Sequence, residues 1–226
     1  MRYENVIPGR FIRRPNRFIA HVEAEGCEVV CHVKNTGRCR ELLTEGATVY
    51  LQKCPSPTRK TGFDLIAADK DGLLINMDSQ APNRAFREWA EAGGFWPDLT
   101  LLKPEAVFGG SRFDFYLEAG PRRAFVEVKG VTLERDGVVL FPDAPTERGL
   151  KHVRELIECL KQGFEAYLVF IVQMQGAQYF TPNRATDPAF ASALKLAAEA
   201  GVQVLARDCR VTPDSMTVDK PLPVVL

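Results

Sequence analysis

Short runs of alternating hydrophobic and polar residues fill the first eighty positions of the chain. In residues 27–33 a cysteine or valine occupies every second position, which is typical of a strand with one buried face. The same pattern predicts further strands, namely two in residues 9–21 around a Pro-Asn turn, one at 48–52, and a hairpin of 61–67 and 72–76 about Asp71-Gly72. With a short helix near residues 39–43, these strands predict a small Greek-key barrel of the oligonucleotide-binding (OB) type.

Helices and strands alternate after residue 81, where Pro82-Asn83 marks the predicted boundary between a domain at 1–81 and a domain at 82–226. The predicted elements are a helix at 84–92, strands at 111–118, 125–130 and 138–141, a helix from Thr146 to Gln162, a strand at 165–172, a helix from Asp187 to Gly201 and a strand at 202–206. After Thr212 we expect an extended arm or an edge segment. The predicted fold class is α/β with an all-β N-terminal domain, in which the barrel precedes a mixed sheet flanked by helices.

Two of the predicted strands carry acidic and basic residues at positions that can converge. Side chains alternate faces along a strand, so Glu127 and Lys129 share a face. Asp114 lies in the middle of the preceding strand, with Phe113 and Phe115 expected on the opposite face. Two carboxylates suit a hard cation such as Mg²⁺ or Mn²⁺, and a neighbouring lysine can orient a water molecule and offset charge on a phosphate. We therefore predict Asp114 and Glu127 as metal ligands, and these two with Lys129 as catalytic residues.

The Glu-x-Lys pair gains weight from its surroundings, because such pairs are common on solvated strands. Phe125 shares the face of Glu127 and Lys129, which indicates that this face is covered. A further carboxylate is expected near the metal. Glu88 on the helix and Glu105 at the entrance of the first strand are both candidates, and the sequence leaves the choice open.

The helix predicted from Thr146 places basic residues at its positive end. Arg148 and Lys151 lie in or just after the first turn, where positive side chains oppose the helix dipole. A bound phosphate explains this placement. His152 either joins these residues or packs beneath the helix.

Positive charge is concentrated in the first sixty residues, although the chain as a whole has no net charge. That stretch has eleven Lys or Arg against six Asp or Glu, which fits a phosphate-binding role. Its arginines alternate with Phe11 and Phe18, as on a surface that binds single-stranded nucleic acid. The alternative is that both phenylalanines are core residues and the arginines a solvated face. The predicted nucleic-acid-binding residues are Arg10, Arg13, Arg14, Arg17, Arg38, Arg148 and Lys151.

Composition indicates a globular cytoplasmic protein, with 46% hydrophobic and 26% charged residues and no apolar run long enough to span a membrane. Its six scattered cysteines fit a compartment with reduced thiols. Zinc binding by Cys27, Cys31, His32 and Cys39 is not predicted, because His32 points away from the cysteine face and no Cys-x-x-Cys pair is present. Buried thiols are the simpler interpretation.

Four longer motifs are spread along the chain. They are His-x-x-Asn-Thr-Gly-Arg at 32–38, Ser-Arg-Phe-Asp at 111–114, Val-Glu-Val-Lys-Gly-Val-Thr-Leu at 126–133 and Phe-Pro-Asp-Ala-Pro-Thr-Glu-Arg-Gly-x-Lys-His at 141–152. Together they resemble the sugar fermentation stimulation protein family over essentially the whole chain. The resemblance implies an OB-like domain followed by a PD-(D/E)xK nuclease-like domain. It also implies DNA binding and, in the founding bacterial case, a proposed regulatory link to sugar metabolism.

The resulting prediction is a DNA-binding protein with a metal-dependent DNA phosphodiesterase site. The alternative is a non-catalytic DNA-binding regulatory protein. The two carboxylates favour the first interpretation, because they repel DNA unless a cation intervenes. An enzyme of sugar metabolism is not supported, since no nucleotide-binding glycine loop is present. Single- or double-strand preference, the mode of cleavage, the number of metals and the oligomeric state, a homodimer included, stay open.

Overall fold

The computed structural model describes residues 1–35, 37–55 and 58–226, which contain three α-helices and fifteen strands in three sheets. In chain order the elements are β1 (Val6–Asn16), β2 (Ile19–Ala24), β3 (Cys27–Val33), β4 (Thr48–Lys53), β5 (Phe63–Lys70), β6 (Leu73–Asn76), α1 (Ala81–Glu91), β7 (Leu101–Phe108), β8 (Ser111–Ala119), β9 (Arg122–Val131), β10 (Leu133–Arg135), β11 (Val138–Phe141), α2 (Glu147–Lys161), β12 (Glu165–Val172), β13 (Tyr179–Pro182), α3 (Pro188–Glu199), β14 (Gln203–Thr212) and β15 (Ser215–Leu222).

The first sheet forms the predicted OB barrel. Its order is β3-β2-β1-β4-β5-β6, and it closes because β3 also pairs in parallel with β5, from Cys31↔Phe63 to Val33↔Leu65. The hairpin about Asp71-Gly72 is confirmed, and both residues have the positive φ that a tight hairpin turn requires. The barrel therefore follows the alternating pattern of the sequence, with one face of each strand buried.

Two local predictions in the barrel are wrong. The chain reverses at Arg17-Phe18, two residues after the expected Pro15-Asn16 turn. The reason is that the Asn16 side-chain oxygen accepts hydrogen bonds from the backbone N–H groups of Phe18 and Ile19, at 2.9 and 3.1 Å. Residues 39–43 form one hydrogen-bonded turn rather than a helix, with the Leu43 N–H donating to the Cys39 carbonyl at 3.0 Å. Cys39 has a φ of +45°, outside the helical region. Thr36, in the predicted turn before it, lies outside the described residues.

The second six-stranded sheet has the order β15-β14-β12-β9-β8-β7 and confirms a mixed sheet with helices. Its central strand β12 runs parallel to both β9 and β14, as its continuous apolar sequence indicates. Helix α1 packs on one face of the sheet, in a core that contains Phe86, and helix α2 packs on the other, in a core that contains Leu156. Thr146 caps α2 as predicted, since its hydroxyl accepts from the Gly149 N–H at 3.0 Å.

The predicted third strand of this sheet, β11, belongs elsewhere. It pairs with β10 and, in parallel, with β13, and these three form a separate small sheet. The reason is that both edges of β9 are already occupied, by β8 and by β12. The segment after Thr212 is an edge strand, β15, paired with β14.

A buried side-chain amide joins the two larger sheets. Gln173, which follows β12 and is 2% exposed, donates through Nε2 to the Asn76 carbonyl, the Asn76 Oδ1 and the Asp78 carbonyl, at 3.0, 3.0 and 3.1 Å. The Gln173 carbonyl accepts from the Asn76 N–H at 2.9 Å, and the Gln173 N–H donates to the Val131 carbonyl at 2.9 Å. The end of β6 is thereby held against the carboxyl ends of β9 and β12.

None of the helices within the described ranges combines the length and the apolar character needed to cross a membrane.

Replacing Gln173 by alanine is expected to lower the free energy of unfolding by about 3 kcal/mol, because the carbonyls of Asn76 and Asp78 would each lose a buried hydrogen bond and Asn76 Oδ1 would keep only its bond from the Asp78 N–H. Urea denaturation of Gln173→Ala measures this change. Gln175→Ala is the matched control, since Gln175 is exposed and, among the residues that the structure describes, its side chain bonds only to Asp219, at 3.3 Å. The control should change stability by no more than about 0.5 kcal/mol. Equal effects of the two substitutions would contradict the role assigned to Gln173.

Candidate functional site

Asp114 and Glu127 lie where β8 and β9 separate. The pairing of these strands ends at Phe115↔Val126. Beyond that point the Val128 N–H donates to Asp114 Oδ2 at 2.8 Å, so a side-chain carboxylate replaces the backbone acceptor of the ladder. The other oxygen, Oδ1, accepts from Asn83 Nδ2 of α1 at 2.7 Å. Asp114 is therefore held on both oxygens beside Glu127.

The regular alternation of β8 breaks at Asp114. Phe113 packs with Phe125 and His152 on the α2 side of the sheet, with ring centroids 5.6 and 5.9 Å apart. Phe115 packs on the opposite side, 5.1 Å from Phe86 of α1. The prediction that Phe113 and Phe115 share one face is therefore wrong, because a period of two holds only while the strand stays regular.

Glu127 is the most enclosed group of the site. It is 3% exposed, and its Oε1 accepts from both Lys129 Nζ and His152 Nδ1. Its Oε2 is buried and has no hydrogen-bond partner within the described residues. Buried carboxylate oxygens are normally satisfied, so this atom is available to a ligand that is not a protein donor.

Burial and charge separate the pKa values of the two carboxylates. Burial, and then the negative charge of Glu127, raise the pKa of Asp114 from 3.8 to about 6. Burial also opposes ionisation of Glu127, but hydrogen bonds and positive charge from His152 and Lys129 outweigh it and lower the pKa of Glu127 below its usual value. Near neutral pH both groups are ionised, and the charge of each disfavours that of the other.

These two carboxylates fit a hard cation, which would satisfy Glu127 Oε2 and neutralise the repulsion between the pair. The site offers few possible metal ligands, since the described part of the chain holds no group of three or more His, Cys, Asp or Glu arranged for a metal. The two candidates for an outer carboxylate have other partners: Glu88 Oε2 is 2.5 Å from the Met1 amine, and Glu105 Oε2 is 2.6 Å from Arg112 Nε.

His152 is the member of the site that the sequence left undecided. It packs beneath α2, 5% exposed, with its ring against Phe113 and its Nδ1 on Glu127. Helical spacing could have predicted the burial of His152, because Gly149, Val153 and Leu156 lie on the same buried face. On the outer side of this helix Arg148 is exposed, and Lys151 Nζ donates to the Gly110 carbonyl at 2.8 Å.

The barrel arginines have different surroundings. Arg14 is structural in character, since its guanidinium donates to the carbonyls of Arg17, Asn35, Gly37 and Arg38 at 2.6 to 3.0 Å. Arg10 donates to the Gly46 carbonyl at 3.0 Å, and Arg13 lies 3.3 Å from His21 and 3.7 Å from Glu28. Phe11 is a core residue, 4% exposed, whereas Phe18 is 49% exposed. The interpretation as a core residue therefore holds for Phe11, whereas Phe18 lies on the surface.

An open groove of about 560 Å³ collects several of these residues at the junction of barrel and second domain. Its lining comprises Phe11, Arg14, Asn16, Arg17, Gly37, Arg38, Arg40, Leu43 and Ala144. Arg10 and Arg13 lie outside it. Arg40 lines the groove but was not among the predicted binding residues. The alternation of Arg38 and Arg40 around buried Cys39 could have indicated it.

The three cysteines considered for zinc differ in their exposure. Cys31 and Cys39 are buried, and burial raises the pKa of each thiol to about 12. Cys27 is exposed, contrary to expectation, because it begins β3 at the rim of the barrel.

The raised pKa of Asp114 makes stability depend on pH. A carboxyl group whose pKa is higher in the folded protein stabilises the fold below its unfolded pKa and loses that contribution as pH rises through the folded pKa. Wild type is therefore expected to lose about 2 kcal/mol relative to Asp114→Asn between pH 4 and pH 7, since the folded and unfolded pKa values differ by about two and most of this difference takes effect in that range. Urea denaturation of both proteins across this range measures the difference, and parallel stability curves would refute it.

Comparisons with known proteins agree with this architecture. The family model "SfsA N-terminal OB domain" matches residues 12–77, and "Sugar fermentation stimulation protein RE domain" matches residues 80–215. A sugar fermentation stimulation protein homolog of Desulfitobacterium hafniense (strain DSM 10664 / DCB-2) is 59% identical over 96% of this chain and 94% of its own. One of Clostridium beijerinckii is 53% identical over the full length of both chains. The solved structure of Pyrococcus furiosus SfsA in complex with Ca²⁺ has a TM-score of 0.89 and 29% identity, and the match covers 100% of this chain and 98% of that chain. This chain belongs to the sugar fermentation stimulation protein family.

Proposed function

We propose that this chain binds DNA and hydrolyses its phosphodiester bonds with the help of a divalent cation, Mg²⁺ or Mn²⁺. The observation that carries this proposal is the buried, unpartnered Oε2 of Glu127 beside the carboxylate of Asp114. A buried carboxylate and a partly buried one with mutually unfavourable charges are costly unless a cation joins them. The related Pyrococcus furiosus protein is described in complex with Ca²⁺, a cation that also prefers oxygen ligands.

Each residue of the site has a distinct part in this reaction. Asp114 and Glu127 would hold the cation, which when bound supplies positive charge to the reacting phosphate. His152 and Lys129 fix the orientation of Glu127 through Oε1, which leaves Oε2 directed away from them. Lys129 is 16% exposed at its side chain and is the group that orients the attacking water.

Basic residues around the site would bind the DNA backbone. Arg17, Arg38 and Arg148 are exposed, and none of their guanidinium groups makes a carboxylate ion pair within the described residues. Phosphate contacts of this kind position the strand without reading its sequence. Arg10, Arg13 and Lys151 are also proposed to contact phosphates, although each already has a partner in the protein.

A second candidate function is DNA binding without cleavage, in a regulatory protein. The observation in its favour is the small number of metal-ligating groups, since only two carboxylates converge in the described part of the chain. Cleavage measurements distinguish the two functions.

Purified wild type is expected to cleave labelled DNA with Mg²⁺ or Mn²⁺ and to be inactive in EDTA. Glu127→Gln and Lys129→Ala should each lower the cleavage rate by at least about 100-fold, because they remove charge from the reacting centre. Both should still bind DNA in EDTA. Glu118→Gln is the matched control, since Glu118 lies on the same strand as Asp114 and accepts a hydrogen bond from Tyr116 at 2.7 Å. Binding without cleavage under all metal conditions would leave the regulatory function as the better account.

Cation binding can be measured without DNA. Mg²⁺ or Mn²⁺ at about 100 times its dissociation constant should stabilise wild type by about 2.7 kcal/mol, because the ion binds the folded state alone. Thermal denaturation with and without the ion measures this gain. Glu127→Gln should show little of it and Glu118→Gln all of it. Equal gains in the two variants would place the cation elsewhere.

A further inference from the structure

We propose that Asn83 is a positioning residue of the cation site: its side-chain amide fixes the Asp114 carboxylate for the ion and leaves the negative charge of that group intact. The ion itself belongs to the proposed function, on which this inference rests. The sequence pattern gave Asn83 no such role, since Pro82-Asn83 was predicted only as a domain boundary. The alternative is that the amide merely ties α1 to the sheet.

Two neutral donors hold the Asp114 carboxylate. Asn83 Nδ2 donates to Oδ1 at 2.7 Å, and the Val128 N–H donates to Oδ2 at 2.8 Å. A carboxylate oxygen has about two acceptor positions. One bond on each oxygen therefore fixes the plane of the carboxylate and leaves each oxygen able to bind a cation as well.

The neutrality of the amide matters because Asp114 has no charged side chain bonded to it. The Lys129 ammonium bonds to Glu127 instead, and within the described residues no Lys, Arg or His side chain forms an ion pair with Asp114. A positive side chain at position 83 would offset the charge of Asp114 and compete with a metal ion for it. An amide orients the carboxylate from the same place and keeps its charge available. A residue that served the fold alone would do better as an ion-pair partner, since that would offset more of the cost of the buried charge.

The backbone that carries Asn83 is held in place by its neighbours. Pro82 is buried against the end of β9, where a Cβ on Gly130 would lie 2.6 Å from Pro82 Cγ. The lack of a side chain at Gly130 thus lets α1 begin directly beside this strand. On the other side, the Asp78 carboxylate accepts from the Gln80 N–H at 2.9 Å. Asn83, in the first turn of α1, is therefore preorganised for its bond to the carboxylate.

The first test measures the affinity for the ion in the absence of DNA. Isothermal titration calorimetry with Mn²⁺ should give a dissociation constant at least about tenfold higher for Asn83→Ala than for wild type, because loss of a hydrogen-bond partner of a metal ligand typically costs about 10- to 100-fold in affinity. Circular dichroism in EDTA verifies that the variant is folded.

Asn183→Ala is the matched control for this measurement. Asn183 is also buried, and its Nδ2 donates to the Pro142 carbonyl at 3.0 Å, which is not part of the site. The control loses a buried hydrogen bond but should keep the dissociation constant of wild type. Unchanged affinity in Asn83→Ala, or an equal loss in the control, would overturn the inference.

The second test uses a substitution for which the two roles of the amide predict opposite results. In Asn83→Lys an ammonium replaces the amide beside Asp114. If the amide serves the ion, this variant should melt in EDTA at or above the temperature of wild type, and it should lose the rise in melting temperature that Mn²⁺ gives wild type. If the amide merely ties α1 to the sheet, the variant should melt at a lower temperature in EDTA and keep that rise, which would overturn the inference.

The outcomes separate the inference from the proposed function. Binding of Mn²⁺ that depends on Asn83, without cleavage of any DNA, would refute the nuclease and uphold the role of Asn83. Metal-dependent cleavage with the same Mn²⁺ affinity in wild type and Asn83→Ala would uphold the nuclease and refute the role of Asn83. Failure of wild type to bind Mn²⁺ or Mg²⁺ would refute both.

Discussion

The hydrogen bonds of the Gln173 side-chain amide are the constraint on which the rest of the molecule depends. They connect β6, the last strand of the barrel, to the end of β12, and the backbone N–H of Gln173 connects the same residue to Val131 at the end of β9. Asn76, Asp78 and Gln173 are all nearly inaccessible to water, so this polar junction can exist only when it is fully paired. Because β9 carries Glu127 and Lys129 just before this junction, the same bonds set the distance between the barrel and the candidate catalytic centre.

The candidate centre depends in turn on the point where the pairing of β8 and β9 ends. Asp114 takes the place of a backbone acceptor at the point where β8 leaves β9, and Glu127 is enclosed beneath α2. A carboxylate in such a position is destabilising by itself. His152 and Lys129 offset part of this cost for Glu127, whereas Asp114 keeps a raised pKa. The arrangement therefore costs stability as long as no further group offsets the charge of Asp114.

The arginines divide into two groups by what they contact. Arg14 donates to four backbone carbonyls and holds Asn35, Gly37 and Arg38 against Arg17 of the β1–β2 turn. Arg17, Arg38 and Arg40 line the open groove that results. Arg14 thus gives the backbone that carries Arg17 and Arg38 a fixed geometry.

The amino-acid pattern alone determined most of the elements and much of the candidate chemistry. Alternation predicted the barrel strands, capping residues predicted α2 and α3, and the period of two placed Glu127, Lys129 and Phe125 on one face. These features depend on neighbours in sequence, for which local spacing is a sufficient guide. The tertiary structure decided which long-range partners each group meets. It moved β11 out of the main sheet because β9 had no free edge, broke the alternation at Asp114, directed His152 to Glu127, and assigned Arg14 to the backbone and Arg40 to the groove. No local pattern contains that information, because it depends on which strand edges, carbonyl groups and faces remain free once the whole chain is packed.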